Sequence, residues 1–111
     1  MDKNSVAWKD LWVAIVTPFD AAGAIDEDAL RTHVGWCIAE GVSGIVAAGC
    51  TGEFWALTDD ERNRVIKVCV EAAGGQVPVI GGTGAIRTPD VIALTEAAKD
   101  AGCAGVMVLP P

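Results

Sequence analysis

The sequence predicts an α/β fold in which short parallel strands alternate with amphipathic helices. The apolar runs are short, β-branched and not alternating, as expected for strands that are covered on both faces of a sheet. Amphipathic stretches lie between these runs, and the strands recur about every 30 residues, which is the size of a βαβ unit. The 111 residues therefore have the order β-α-β-α-β-α-β, within one small domain.

The boundaries follow from capping signals. Asp26 is a predicted N-cap, Thr58 and Glu61 form a predicted capping box, and Thr88 is a predicted N-cap with Pro89 at the first helical position. Apolar stripes are predicted on the first two helices, namely Leu30, Val34, Cys37 and Ile38 on the first and Val65, Cys69 and Ala72 on the second. Glycines at 41, 74 and 102 stand where helices end. The predicted strands cover residues 12–16, 44–49, 77–80 and 104–109, and the helices 26–40, 58–73 and 88–101. Residues 1–11 form a lead-in, and residues 12–111 form the α/β unit.

Charge and hydropathy exclude several classes of function. The net charge of -7 and the pI near 4.4 argue against a nucleic-acid surface or an anionic membrane surface. A small anionic substrate is compatible, because a few local donors outweigh the global charge. Apolar runs end before membrane-spanning length, and the N-terminus lacks the apolar segment of a signal peptide.

The four cysteines are Cys37, Cys50, Cys69 and Cys103, and no two have the C-x-x-C spacing. Neither a metal site nor a redox dithiol is predicted, and three of the four lie in apolar contexts. A reduced, cytoplasmic setting follows. No cofactor is predicted.

The strongest candidate site is the turn Gly49-Cys50-Thr51-Gly52-Glu53, directly after the second strand. Consecutive N–H groups and the Thr51 hydroxyl could hold an anion there, at the strand ends where α/β folds bind ligands. On the residues alone, an ordinary loop that uses glycine for its geometry explains the same pattern.

Other candidates are weaker. Residues 81–88 fail both the P-loop and the G-x-G-x-x-G patterns, because Arg87 stands where those patterns require lysine or glycine, so close backbone packing is the better interpretation. Cys50 has no obvious base, since the sole histidine, His33, lies on a distant predicted helix. Asp59, Asp60 and Glu61 lie in a first helical turn, where the macrodipole favours carboxylates.

Four stretches resemble the dihydrodipicolinate synthase and N-acetylneuraminate lyase family, in order and at its spacing. They are Ala14-Ile-Val-Thr-Pro-Phe19, the stretch from Ala48 to Arg62 with its G-[ST]-T-G-E-like signature, Val77-Pro-Val-Ile-Gly-Gly-Thr-Gly84, and Val108-Leu-Pro-Pro111. The resemblance runs from about Val13 to Pro111. It implies the N-terminal half of a (β/α)8 TIM barrel, truncated after the fourth strand, and so decides between a barrel and an open doubly wound sheet.

The resemblance also implies class I aldolase chemistry, in which a lysine forms a Schiff base with pyruvate or another 2-keto acid and a tyrosine relays protons. Thr51, with its neighbours Cys50 and Gly52, matches the carboxylate-binding element, and Cys50 matches a catalytic relay position that usually carries Ser or Thr. Phe54, Trp55 and Ile86 match poorly the positions that bind lysine in feedback-regulated synthases. The full-length protein would be a homo-oligomer.

Essential parts of that chemistry are missing from these residues. The lysines are Lys3, Lys9, Lys67 and Lys99, none at the end of a predicted strand, and there is no tyrosine. The chain by itself is therefore expected to be inactive, with an exposed strand edge and a tendency to associate.

Three alternatives stay open: a 2-keto-3-deoxy sugar acid aldolase or dehydratase of the same family, a non-catalytic half-barrel binding module, and, least favoured, an open-sheet nucleotide-binding domain. Substrate choice within the family depends on loops that this sequence does not contain. Two roles are open for Phe54 and Trp55. The pair lines the mouth of the site or a subunit contact, or it simply packs under its own loop.

Overall fold

The computed structural model describes residues 4–110, and within them four strands and three α-helices alternate as predicted. The strands are β1 (Trp12–Ala14), β2 (Gly44–Ala47), β3 (Val79–Gly82) and β4 (Gly105–Met107). The helices are α1 (Glu27–Ala39), α2 (Asp59–Ala73) and α3 (Thr88–Ala101). A short 3₁₀ turn, Phe54–Ala56, follows β2 and precedes α2.

The four strands form one parallel sheet in the order β1-β2-β3-β4. The described strands show no reversal of order, whereas an open doubly wound sheet reverses order at its ligand-binding crevice. Sequential order is the arrangement of strands around a barrel. The topology therefore agrees with the barrel interpretation.

Capping was predicted correctly for two of the three helices. The Asp26 side chain accepts from the Ala29 amide, and the capping box between Thr58 and Glu61 has both of its hydrogen bonds. The third prediction was wrong by one residue: Arg87, not Thr88, is the N-cap of α3, and no side chain caps it. The Arg87 carbonyl already accepts from the amides of Asp90 and Val91, so the helix begins one residue early.

The predicted helix-ending glycines agree with the structure at two helices and differ at α1, and the strand bounds differ slightly from those predicted. Gly74 and Gly102 are left-handed C-caps, while α1 is capped by Glu40, with the left-handed Gly41 following. Three strands are shorter than predicted. β3 instead starts later and continues to Gly82, because the glycine pair at 81 and 82 pairs with β4 rather than forming a loop.

One face of the sheet packs against the helices and forms the hydrophobic core. Ile45, Ala47 and Val79 contribute from the strands, and all three are buried. The predicted apolar stripes of α1 and α2 supply buried residues from the helix side: Leu30, Val34, Cys37, Val65 and Cys69. This burial of apolar surface is the main stabilising contribution to the fold.

The opposite face carries Val46, Ile80 and Met107, which line a shallow depression beside two tryptophans of the N-terminal segment. Trp8 stacks on Trp12 with 5.4 Å between the ring centroids. A β-carbon at Gly44 would overlap the Trp12 ring, so glycine is required at that position. This face corresponds to the interior of a closed barrel. Within residues 4–110, no helix has the length and apolar character needed to cross a bilayer.

We predict that Thr58→Ala lowers the free energy of unfolding by about 1 kcal/mol, because α2 loses the side chain that accepts from the Glu61 amide. Thr32→Ala is the matched control, since Thr32 is exposed within α1 and caps nothing. Urea unfolding of both variants measures the difference. Equal stability of the two variants would contradict the capping assignment.

Candidate active site at the carboxyl ends of the strands

The turn after β2 has an unusual backbone conformation. Ala48 (φ 54°) directly precedes the turn and Glu53 (φ 59°) ends it. Both residues lie in the left-handed region, which residues other than glycine seldom adopt. The Glu53 amide donates to the Cys50 carbonyl at 3.0 Å, which closes the turn. Strained backbone of this kind costs roughly 1–3 kcal/mol per residue and clusters at functional sites. The conformation therefore agrees with a binding role for the turn.

Three consecutive backbone amides lie in this turn, those of residues 50–52. Among the described residues, no acceptor receives the amide N–H groups of Cys50, Thr51 and Gly52. Cys50 and Thr51 are exposed, and Gly52 is buried. Backbone N–H groups beside a threonine hydroxyl form an environment that suits a carboxylate or phosphate.

The Thr17 side chain supports this turn through a hydrogen bond. Its hydroxyl donates to the Gly52 carbonyl at 2.7 Å, and its side chain is buried. A β-carbon at Gly52 would come within 3.2 Å of the same hydroxyl, so a side chain there would push its neighbours apart. One feature of the sequence indicates this role: Thr17 comes directly after an apolar strand and before a proline, at the end of the sheet where ligands bind.

Gly82, the last residue of β3, and Gly84, just after it, allow close backbone packing, as the sequence predicted. A β-carbon at Gly82 would overlap the Ala48 carbonyl oxygen, and one at Gly84 would lie 2.8 Å from the Leu109 amide nitrogen. The ends of β2, β3 and β4 thus meet backbone to backbone. No side chain separates the turn after β2 from the strand beside it.

Arg62 is a functional candidate that the sequence reasoning missed. It lies on the buried face of α2 and is only 4% exposed. Its Nε donates to the Gly82 carbonyl at 2.8 Å, and its guanidinium carbon lies 4.5 Å from the centre of the Phe54 ring. Its spacing from Val65 and Ile66 placed a charge on the apolar stripe of the helix, and such a charge requires a partner.

Burial lowers the pKa of the Arg62 guanidinium, and the nearby Asp59 carboxylate opposes that effect. An arginine stays charged in proteins nonetheless, because its ordinary pKa is so high. A buried positive charge therefore lies behind the turn after β2.

The other sequence candidates lie away from the turn or are explained by structure. His33 stacks on Trp36 and contacts the Cys37 sulfur at 3.8 Å, so its described contacts are within α1 and not with Cys50. Phe54 is half-buried against Arg62, whereas Trp55 is 66% exposed, so the two side chains lie in different environments.

The described lysines lie away from the strand ends. Lys67 and Lys99 are exposed on α2 and α3, and Lys9 lines a depression at the amino ends of the strands. Lys3 lies outside the described residues. Residues 4–110 also contain no group of three or more His, Cys, Asp or Glu side chains placed to hold a metal ion.

Two cavities lie at opposite ends of the sheet. The larger, about 510 Å³, is at the amino ends of the strands, beside Lys9 and Ser43. The smaller, about 20 Å³, lies at the carboxyl ends and is lined by Ala48, Gly49, Cys50, Phe54, Arg62, Gly82, Gly84, Met107 and Leu109. The smaller cavity marks the candidate site despite its size, because chemistry in barrel folds occurs at the carboxyl ends. Of the predicted site residues, Cys50 lines this cavity, whereas Thr51 and Gly52 lie beside it in the same turn.

These observations define the chain as an α/β protein of the parallel-barrel class, with a left-handed turn and backbone amides unpaired within the described residues at the carboxyl end of its second strand. The chain belongs to the Dihydrodipicolinate synthetase family, whose model matches residues 7–111. It is 50% identical over 98 residues to a 4-hydroxy-tetrahydrodipicolinate synthase of Brucella abortus, covering 88% of this chain and 33% of that protein. It is 43% identical over 104 residues to an uncharacterized DapA-like lyase of Rhizobium meliloti, covering 94% of this chain and 35% of that protein.

Solved structures agree with this assignment. Dihydrodipicolinate synthase DapA-2 of Bacillus anthracis matches with a TM-score of 0.92 at 36% identity, over 96% of this chain and 36% of that chain. A pyruvate complex of the synthase from Acinetobacter baumannii matches with a TM-score of 0.88 at 42% identity, over 91% and 35% of the two chains. The prediction of family and fold is confirmed. The chain has four of a barrel's eight strands, but spans about a third of the length of its curated relatives.

We predict that iodoacetamide modifies Cys50 first in the folded protein. Burial raises the pKa of Cys69 to about 12, with a further rise from the neighbouring Cys103, and burial raises the pKa of Cys103 to about 11. Burial raises the pKa of Cys37 as well. The reactive species is the thiolate, so these three thiols stay protonated and shielded at pH 8, whereas Cys50 is exposed. Peptide-resolved mass spectrometry gives the order of modification, and faster labelling of a buried thiol would contradict the fold.

We also predict that Gly82→Ala destabilises the protein by about 1–3 kcal/mol or prevents folding, because its β-carbon has no space beside the Ala48 carbonyl. Gly35→Ala is the control: nothing lies within 4 Å of a β-carbon there, and alanine should stabilise α1 by about 0.5–1 kcal/mol. Thermal unfolding measures the Tm of both variants. An unchanged Tm for Gly82→Ala would show that the close approach of Gly82 to the Ala48 carbonyl is wrong.

Proposed function

We propose that this chain supplies the 2-keto acid carboxylate-binding turn of a pyruvate-dependent Schiff-base lyase or synthase. The observation that carries the proposal is the turn after β2, where the amides of residues 50–52 have no acceptor among the described residues and Thr51 is exposed at the carboxyl end of the sheet. The Thr51 hydroxyl and the neighbouring N–H groups would hold the carboxylate of pyruvate. The buried cation of Arg62 favours an anion there despite the chain's charge of -7.

In this reaction a lysine amine attacks the keto carbon of the bound acid, and loss of water leaves an iminium ion. The iminium withdraws electrons from the adjacent carbon, so a proton leaves that carbon readily and a carbon–carbon or carbon–oxygen bond can form or break. The lysine and a relay tyrosine would have to come from sequence other than these 111 residues, which contain no tyrosine. The turn fixes the substrate's orientation, which supplies part of the rate enhancement.

Cys50 stands at the position proposed for the proton relay. It is exposed and lines the small cavity at the strand ends. A thiol is a weaker hydrogen-bond donor and acceptor than a hydroxyl. We therefore propose that Cys50 is compatible with slow proton transfer and that Cys50→Ser sustains or raises the rate.

A 2-keto-3-deoxy sugar acid aldolase or dehydratase is the second candidate. It is favoured by Phe54, Trp55 and Ile86, bulky apolar residues where feedback-regulated synthases carry small or polar ones; Trp55 is 66% exposed and Ile86 89% exposed. Assays with pyruvate plus aspartate semialdehyde, and separately with 2-keto-3-deoxy sugar acids, distinguish the two. We propose in addition a cytoplasmic protein that assembles as a homo-oligomer.

The decisive experiment uses the gene product at its natural length with pyruvate and borohydride, followed by intact-mass measurement. The proposal predicts a covalent pyruvate adduct. Thr51→Val should raise the KM for pyruvate about ten- to hundredfold, equivalent to about 1.5–3 kcal/mol for a hydrogen bond to a charged group. Thr51→Ser, which keeps the hydroxyl, is the matched control.

The 111-residue chain by itself should give no adduct under the same conditions, because no described lysine lies at the carboxyl ends of the strands. Robust turnover or a stoichiometric adduct of this chain alone would show the assignment of the lysine to be wrong. Absence of any adduct in the natural-length product would remove the Schiff-base proposal itself.

A further inference from the structure

We propose that Arg62 is a positioning residue that clamps the anion-binding turn after β2 to the end of β3. The inference rests on the proposed function for its consequence on pyruvate, but the clamp itself is a property of the described contacts. The cluster joins α2, the 3₁₀ turn Phe54–Ala56 and the last residue of β3 through a single side chain.

The first half of the clamp is the contact with β3. Nε of Arg62 donates to the Gly82 carbonyl oxygen at 2.8 Å. Gly82 is also the residue whose missing β-carbon lets the strand end approach the Ala48 carbonyl. The hydrogen bond therefore fixes the strand that abuts the start of the turn. A buried carbonyl with a charged donor makes a stronger bond than a neutral pair.

The second half is the contact with the 3₁₀ turn. The guanidinium lies over the face of Phe54, with 4.5 Å between its carbon and the ring centroid. The Phe54 amide in turn donates to the Gly49 carbonyl at 3.4 Å, at the other end of the anion-binding turn. The ring thus links the cation to the backbone of the turn. Cation–π contacts are stronger when they exclude water.

The planar group performs both tasks at once. A guanidinium can donate in its plane to Gly82 while its face lies on an aromatic ring, whereas an ammonium group offers no plane. Arg62 is 4% exposed, so these contacts are formed out of water. Loss of either contact frees the turn that presents Cys50 and Thr51, and a small displacement of a binding group has a large effect on catalysis.

The test compares Arg62→Met with Arg64→Met, both in the natural-length gene product. Arg64 lies two residues along α2 and pairs with Glu27 on the surface, so it receives the same chemical change outside the cluster. The first readout is the iodoacetamide rate at Cys50, resolved by peptide mapping. The clamp predicts a several-fold faster rate for Arg62→Met and an unchanged rate for Arg64→Met.

The second readout is kinetic. The clamp predicts that Arg62→Met raises the KM for pyruvate several-fold and also lowers kcat, because the displaced turn carries both Thr51 and the proposed relay residue Cys50, whereas Arg64→Met changes neither. Arg62→Lys should not restore either readout. Full rescue by lysine would show that charge alone suffices and would overturn the clamp, as would equal Cys50 rates in Arg62→Met and Arg64→Met.

Phe54→Leu keeps the inference testable if Arg62→Met does not fold. It removes the ring and keeps the hydrogen bond to Gly82, so it should raise the Cys50 rate by a smaller factor than the loss of arginine. An unchanged Cys50 rate in Phe54→Leu would overturn the role of the ring. The thiol readout needs no pyruvate, so it tests the clamp even if no Schiff base forms and the proposed function fails.

Discussion

The close approach of the ends of β2 and β3 is the constraint on which the site depends. Gly82 faces the Ala48 carbonyl with no room for a β-carbon between them. The contact between these two backbones leaves no space for a side chain between them, so only backbone groups lie where the two strands end. The turn after β2 directly follows Ala48 and ends at Glu53, and both residues lie in the left-handed region. The available N–H groups of residues 50–52 result from this geometry.

The residues around the turn hold its shape without occupying it. Thr17 binds the Gly52 carbonyl from β1's side, and Arg62 reaches Gly82 and Phe54 from α2. Both side chains are buried, and each donates a hydrogen bond to a backbone carbonyl. Cys50 and Thr51 are exposed and take no part in these supporting contacts. The division between buried supports and exposed donors is typical of a preorganised site.

How far the sequence predicts this arrangement depends on whether a feature is local. The capping box of Thr58 and Glu61 and the stripe of Leu30, Val34 and Cys37 involve residues three to seven positions apart, and local rules predicted them. The roles of Thr17 and Arg62 arise from contacts 35 and 20 residues apart, which no periodicity describes. The N-cap of α3 was misplaced because the hydrogen bonds of the Arg87 carbonyl, not side-chain preference, set its start.

The central claim is that the turn after β2 binds the carboxylate of a 2-keto acid, and a crystal structure of the borohydride-reduced pyruvate adduct of the natural-length gene product tests it most directly. The account predicts carboxylate oxygens within hydrogen-bonding distance of the Thr51 hydroxyl and of amide nitrogens among residues 50–52. A carboxylate bound elsewhere in the barrel, with this turn free of contact, would contradict it.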